Sequence, residues 1–492
     1  MSEEKSSYRQ MFKATSLFGG VQVFNILISV IRAKFVAVLL GTAGVGILSL
    51  LQSMATLLGN LTQMGINVSA VRDISAAAGT GDHHKVSRTI TVFRKLIWFT
   101  GILGTASMIV LSPLLSQWTF GNKDYTMAFI WLSSTLFLGA ISSGQIALLH
   151  GLQKLKQMAK ASVWGSAIGL AISIPLYYWF GEKGIVPTLI ISAIIALLLS
   201  WFFSRKIKLE KIRVSITEAF SEGKDMAKLG ILMTMSGFTN MFASYLVNAF
   251  ISRNGGVGDV GLYQAGWNIT NKYIGLVFTA MVTDYFPRLS KVNEDLKKIK
   301  EVLNQQAELA LLILGPILII LLSTTPLVIH ILYTKEFLPV VSYIQWVIFG
   351  VLFSAGSWCL GFIFMAKGDS KLYFYKELIS SIIILVSNAT GYYLGGLQGL
   401  GISYTVGNII IFFFVSWLCF YKYRIALGKE FRKILSIELI LCLIAFSIAY
   451  KFGFPYAYFS GGLLFLVMSA YSLFELDKRL HVVQMIKSRF RK

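Results

Sequence analysis

The chain is a succession of apolar stretches, each long enough to cross a lipid bilayer and joined to the next by a connection too short to fold by itself. They run near 15–40, 43–70, 96–117, 126–150, 161–181 and 185–204, then 229–252, 262–287, 305–333, 339–366, 376–395, 399–421, 436–452 and 456–474. A bilayer core about 30 Å thick takes about 20 apolar residues as a helix, and backbone polar groups in lipid must be satisfied within the segment. Fourteen such spans nearly exhaust 492 residues. The predicted architecture is therefore an all-α polytopic membrane protein. Its residues are 55% hydrophobic and 14% charged, a balance that no ordinary water-soluble enzyme keeps off its surface.

The charge is asymmetric along the chain. Lys and Arg total 45 against 23 Asp and Glu, for a net charge of +22. Of the 45 cations, 37 fall in the even-numbered connections and the two tails, five (Lys123, Lys183, Arg253, Lys335, Lys451) on the opposite side, and three within spans. Short loops rich in Lys and Arg stay in the cytoplasm, so both termini are expected there, and the basic excess calls for no nucleic-acid partner. The polar start MSEEKSSYRQMFK followed by a long apolar run is not the pattern of a cleavable signal, and the first helix is expected to stay attached. Cys359, Cys419 and Cys442 sit in apolar runs without CxxC spacing, and the five histidines form no ligand cluster. Neither a metal nor another cofactor is expected.

Residues 205–228, RKIKLEKIRVSITEAFSEGKDMAK, divide the spans. The expected organisation is an N-lobe of six spans over 1–204, a basic cytoplasmic linker over 205–228 read as an interfacial amphipathic helix, a C-lobe of six spans over 229–421, and two further spans with a basic tail over 422–492. A shift of 215 positions aligns Asn25 with Asn240, Ser29 with Ser244, Phe35 with Phe250, Gly41 with Gly256, Val45 with Val260 and Gly46 with Gly261, and Ser75 with Ser290 continues the register. Copies that begin six spans apart share an orientation, which makes this a parallel repeat enclosing a central cleft.

Polar stripes mark the faces toward that cleft. Gln22, Asn25, Ser29 and Arg32 share one face of the first span, and Gln52, Thr56, Gln63 and Asn67 one face of the second. Ser236, Asn240 and Ser244 repeat the pattern, as do Gln264, Asn268, Asn271 or Lys272, and Thr279. Small polar residues also bind helices to each other, so the stripes alone allow either reading. The in-span cations are more specific. Arg32 and Lys272 lie roughly 14 to 17 Å from the outer boundary, where a cation costs about 2.5 to 3.5 kcal/mol and calls for water or an anion. Lys34 is about 200° around the helix from Arg32 and serves another face. Asp284 is the one carboxylate in the eighth span, as a coupling or structural group. Surplus cations with amide donors suit an anionic substrate. There is no GxxxxGK[ST], HExxH or DxD motif.

The strings AKFVAVLLGTAGVG (33–46), FGNKDY (120–125), VGLYQ with FTAMVTDYFPRLS (260–290) and AKGDSKLYFYKELIS (366–380) together resemble the Wzx-type O-antigen and polysaccharide-unit translocases of the multidrug, oligosaccharidyl-lipid and polysaccharide exporter superfamily. The likeness covers about the first twelve spans. It implies a flippase, not an enzyme, that moves undecaprenyl diphosphate-linked oligosaccharide, as for lipopolysaccharide O-antigen, between leaflets of a bacterial inner membrane by alternating access. Implied partners are the polyprenyl diphosphate-linked glycan, membrane lipids, a polysaccharide polymerase and chain-length proteins. On this reading Arg32, Lys34 and Lys272 attract the diphosphate, and Asn25, Asn240, Gln52, Asn268 and Asn271 bond sugar hydroxyls. Lys34 matches a lysine of the family's first-span pattern. The alternatives are an ion-coupled antiporter of the same superfamily, which would want a mid-depth carboxylate pair, and a membrane polysaccharide polymerase, which the short outer loops disfavour.

Overall fold

A computed structural model describes residues 2–207 and 209–480, and the side chains of these apart from 2–18, Ser236, Lys272, Tyr273, Leu276, Thr283, Phe454, Pro455 and Leu480. Among the described residues the regular structure is all helical, with no strand. The helices are α1 (Ser2–Gln63), α2 (Ile66–Gly79), α3 (His83–Phe120), α4 (Thr126–Gly151), α5 (Leu155–Phe180), α6 (Ile185–Ser204) and α7 (Ile216–Gly255). They continue as α8 (Val257–Lys291), α9 (Leu296–Leu332), α10 (Val340–Ala366), α11 (Ser370–Tyr423), α12 (Lys429–Phe452) and α13 (Phe454–Leu480).

Nine stretches among the described residues are long and apolar enough to cross a bilayer, and three of them, of 45, 50 and 54 residues, are twice the length of one crossing. Each of the three is interrupted by glycine. Helix α1 breaks at Gly41, where φ is 64°. The short turn Gly181–Gly184 separates α5 from α6. Helix α11 breaks at Gly395 and Gly396, with φ of 56° at the latter. It folds back there, because a Cβ on Gly391 would collide with Ser403 and with the carbonyl of Gly399. Helices α7 and α8, of 40 and 35 residues, are long enough to cross but carry more polar side chains than the nine. Divided at these glycines, the helices correspond to the fourteen expected spans. The second continues as α2 beyond a left-handed break at Met64 and Gly65.

Helix starts on the basic side are set by side-chain caps. Asp82 accepts from the amides of His84 and Lys85 at 2.9 and 3.1 Å, and Asp295 from those of Lys297 and Lys298 at 2.9 and 3.2 Å. Those amides hold both carboxyls below the usual carboxylate range, so the caps are intact at neutral pH and loosen only as acid titrates them. Ser215 and Glu218 form a reciprocal capping box at the start of α7.

That box corrects the expectation of an interfacial helix over 205–228. Residues 209–215 are not helical, and helix resumes only at Ile216, where Ser215 can satisfy the first free amides. The extended stretch is tied to α3: the Glu210 amide donates to Ser87 Oγ at 3.0 Å, and Lys95 Nζ donates to the Val214 carbonyl. Ile207, Leu209, Ile212 and Val214 pack against a cluster that includes Ile74, Ile90, Phe93 and Leu148, which removes the apolar face a membrane-surface helix would need.

The chain forms two compact units, Met1–Gly261 and Leu262–Lys492. In the first, α7 joins α3 at both ends: Arg88 pairs with Glu222 at 2.6 Å, the Thr119 and Tyr245 hydroxyls meet at 2.7 Å, and Arg253 donates to the Gln117 carbonyl at 2.8 Å. In the second, α9 packs against α10, α12 and α13, and α10 against α11. Cys359, Cys419 and Cys442 are buried, unpaired core residues there.

Within the first unit the backbones of the second span and of the start of α8 touch without intervening side chains. A Cβ on Gly46 would overlap the carbonyl of Val257, and one on Gly261 would overlap the carbonyl of Thr42. The shift of 215 that aligns Gly46 with Gly261 also aligns Thr42 with Val257, so the contact is reciprocal, as at a two-fold interface. The aligned pair just before it, Gly41 and Gly256, shares a positive φ, 64° and 88°. A second glycine crossing joins Gly65 to Gly230 of α7. Gly46→Ala or Gly261→Ala is expected to cost about 3 kcal/mol or more by driving Cβ into backbone. Gly59→Ala, whose Cβ would find only the end of Gln63 at 3.9 Å, should be neutral or stabilising. Thermal unfolding of the purified variants in one detergent checks the contrast.

Candidate functional site

The polar stripe of the first span packs on a stripe of small residues in α5, Ser162, Ser166 and Gly169, which recur at helical spacing. Asn25 Nδ2 donates to Ser162 Oγ at 2.9 Å, and Ser166 Oγ donates back to Asn25 Oδ1 at 2.8 Å. Both functions of the carboxamide are thus engaged in holding α1 to α5. Two turns on, Arg32 lies over Gly169, where a Cβ would stand 3.0 Å from Nη2. Glycine gives the guanidinium room against the α5 backbone. Arg32 is half-buried and its Nε is buried with no hydrogen-bond partner among the described residues. A buried guanidinium donor left open is costly in a membrane helix, and an anion is the partner that would satisfy it best.

The other expected residues of the first unit divide by role. Lys34 is half-buried and has an interaction of its own. Gln52 and Asn240 are exposed, and Asn240 is also engaged. Farther along the second span, Asn67 Nδ2 donates to Gln63 Oε1 at 2.7 Å and to Ser143 Oγ of α4 at 2.9 Å. Asn60 Nδ2 donates to the Thr56 carbonyl at 2.9 Å. The stripe from Gln63 to Asn67 serves packing, whereas Gln52 stays open.

In the second unit Asn268 is half-buried and Asn271 exposed, and the side chain of Lys272 lies outside the described ones. Asp284 is exposed and paired with Arg288 at 3.1 Å, and Arg288 also donates to Gln305 at 3.0 Å. This ion pair spans one turn of α8.

A family model described as polysaccharide biosynthesis protein matches residues 35–342, more than half of the chain. The chain belongs to that family. The Lipid III flippase of Escherichia coli K12 is 20% identical to this family member over 361 residues, covering 72% of the chain and 84% of that relative. Among solved structures, the lipid II flippase MurJ in an inward closed conformation superposes with a TM-score of 0.65 at 13% identity, over 94% of this chain and 99% of that one. An inward-facing multidrug resistance MATE family transporter of the MOP superfamily gives 0.64 at 15% identity, over 85% and 96%. The chain shares the fold of these two structures.

The most enclosed carboxyl among the described residues of the second unit lies outside the expected site. Glu438 of α12 is 0% exposed, and neither of its oxygens has a hydrogen-bond partner among the described residues. It fits a notch at Gly315 of α9, where a Cβ would come within 2.8 Å of Oε1. Toward the basic side of the same three-helix seam, Arg479 of α13 bonds Glu308 at 2.9 Å and pairs with Glu475. The sequence signal was a glutamate in an apolar run, LSIELILC, and what was invisible was the glycine facing it. Burying a charge without a partner costs far more than burying a neutral acid. Glu438→Gln should therefore leave the thermal midpoint unchanged or raised. Glu308→Gln, which removes a partner from Arg479, should cost about 1 to 3 kcal/mol. Parallel unfolding curves of the two variants decide the point.

Proposed function

We propose that this protein is a flippase, a transporter and not an enzyme, for undecaprenyl diphosphate-linked oligosaccharide units of an O-antigen or similar surface polysaccharide. It carries them from the cytoplasmic to the periplasmic leaflet of a bacterial inner membrane, with both termini in the cytoplasm, and hands them to a polysaccharide polymerase and its chain-length proteins. The observation that carries the reading is Arg32: a cation within a membrane span, backed by glycine, with a buried donor that has no hydrogen-bond partner among the described residues. A diphosphate supplies both charge and acceptor oxygens for such a donor. The Lipid III flippase relative and the MurJ-like fold support a lipid-linked cargo.

In this reading Arg32, with Lys34 and Lys272, draws the diphosphate, and the open Gln52, with Asn240, Asn268 and Asn271, offers hydrogen bonds to the glycan. Asn25 positions the first span. Two lobes of six spans, 1–204 and 229–421, alternate access to the cleft, with 205–228 as their linker and 422–492 as an appended pair of spans. The antiporter alternative lacks support in the first unit: no Asp or Glu falls between residues 5 and 72 or between 125 and 181, and Asp284 is occupied by Arg288.

Proteoliposomes carrying the purified protein and an undecaprenyl diphosphate oligosaccharide, probed with a membrane-impermeant glycan reagent, test the proposal. Protein-dependent crossing is expected. Arg32→Ala should slow it about 10- to 100-fold, the worth of a charge-assisted hydrogen bond, with Arg32→Lys in between. No crossing by folded wild type, with proton and sodium gradients both supplied, would overturn it.

A further inference from the structure

A cavity of about 740 Å³ lies in the first unit, walled by the start of α3 and the ends of α4 and α6, and closed by the chain that follows α6. All of these are helix ends that carry the Lys- and Arg-rich connections. Most of the lining is apolar: Phe93, Ile97, Phe137, Ile141, Leu148 and Leu197 are among its walls. Two cations, Arg94 and Arg205, also line it, and no carboxylate does among the described residues.

Both arginines are exposed, and neither is paired with a carboxylate among the described residues. Arg94 makes no hydrogen bond or ion pair among the described residues. The Arg205 guanidinium stands 4.8 Å from the ring centroids of both Trp201 and Phe202, a cation–π arrangement that fixes its direction and leaves its charge unpaired. Gln145, on the same wall, accepts from Ser200 Oγ at 2.8 Å through Oε1, which leaves its NH2 group to donate. Trp98 and Trp201 are 53% and 49% exposed at the rim. Indoles at the end of membrane helices settle at headgroup level, so the rim sits where lipid phosphates are.

A chamber with greasy walls, two uncompensated guanidiniums and an indole rim at headgroup depth matches one class of ligand: an amphiphile with an anionic phosphate head and hydrocarbon tails. We propose that this cavity is a binding site for an anionic glycerophospholipid, whose phosphate bridges Arg94 and Arg205 while its acyl chains occupy the apolar wall of α3, α4 and α6. Charge complementarity commits the site to an anionic lipid: a zwitterionic one would bring its own cation beside two arginines. A soluble phosphate would leave the apolar wall wet, which is unfavourable for a chamber of this size. The site uses residues apart from Arg32 and the polar stripes, so it stands independently of the transport reading.

The test uses the full chain, delipidated in detergent and titrated with dioleoyl phosphatidylglycerol or dioleoyl phosphatidylcholine under native mass spectrometry. One phosphatidylglycerol is expected to bind about tenfold or more tightly than phosphatidylcholine, the size expected for two basic groups on one headgroup. R94Q/R205Q should abolish the preference, and R72Q, at an arginine paired with Asp73 outside the cavity, should retain it. Because the double variant could lose its fold, a second measurement uses lipids brominated on the acyl chains in vesicles. Brominated phosphatidylglycerol should quench wild-type tryptophan fluorescence more than brominated phosphatidylcholine, and W98F/W201F should lose the difference. Equal binding of the two lipids, equal quenching, a preference that survives R94Q/R205Q in a folded variant, or displacement of the lipid by millimolar inorganic phosphate would each overturn the proposal.

Discussion

Backbone-to-backbone contact through glycine is the constraint on which the first unit depends. In a bilayer the lipid tails are as apolar as the helices, so the hydrophobic effect does not press one span against another. Close approach must instead come from surfaces with little on them. Gly46 against Val257, Gly261 against Thr42, and Gly65 against Gly230 bring the second span, α7 and the first turn of α8 closer than side chains would allow. Once those backbones are fixed, the hydroxyl pair of Thr119 and Tyr245 and the ion pair of Arg88 and Glu222 hold the far reaches of α7 to α3.

Glycine also creates room for polar groups. Gly169 lets Arg32 lie against α5, and Gly315 makes the notch for Glu438. Both groups then keep a buried atom with no partner among the described residues, which is rare and costly in folded proteins. The two sites differ in what surrounds them. Arg32 shares its face with Asn25, whose hydrogen bonds to two serines set the helix register beside it. Glu438 is sealed at a three-helix seam, with the Arg479 cluster toward the basic side.

Much of the fold was legible in the order of residues because membrane physics is local. Span number, the helix breaks at Gly41 and Gly396, and the position of the repeat follow from hydropathy, helix-breaking glycines and recurrence. The linker was misjudged because its alternating Ile, Leu and Val suit an extended strip packed on α3 as well as one face of a helix. Only the cap at Ser215 and the receiving cluster decide between them. The role of Asn25 was similarly ambiguous: a carboxamide in a span reads alike whether it faces a cargo or a neighbouring serine. Asp284 looked available for coupling until the rotamer of Arg288 was known.

By itself the sequence determined that this is a polytopic helical membrane protein, which ends of its helices are basic, and which few cations lie within the spans. Those properties are sums over single residues, each fixed by its transfer from water to lipid. Tertiary structure alone decided which polar groups are consumed in packing and which remain open. Hydrogen bonding is a pairwise property, and the serines beside Asn25, the glycine under Arg32 and the glycine facing Glu438 lie more than a hundred residues away along the chain.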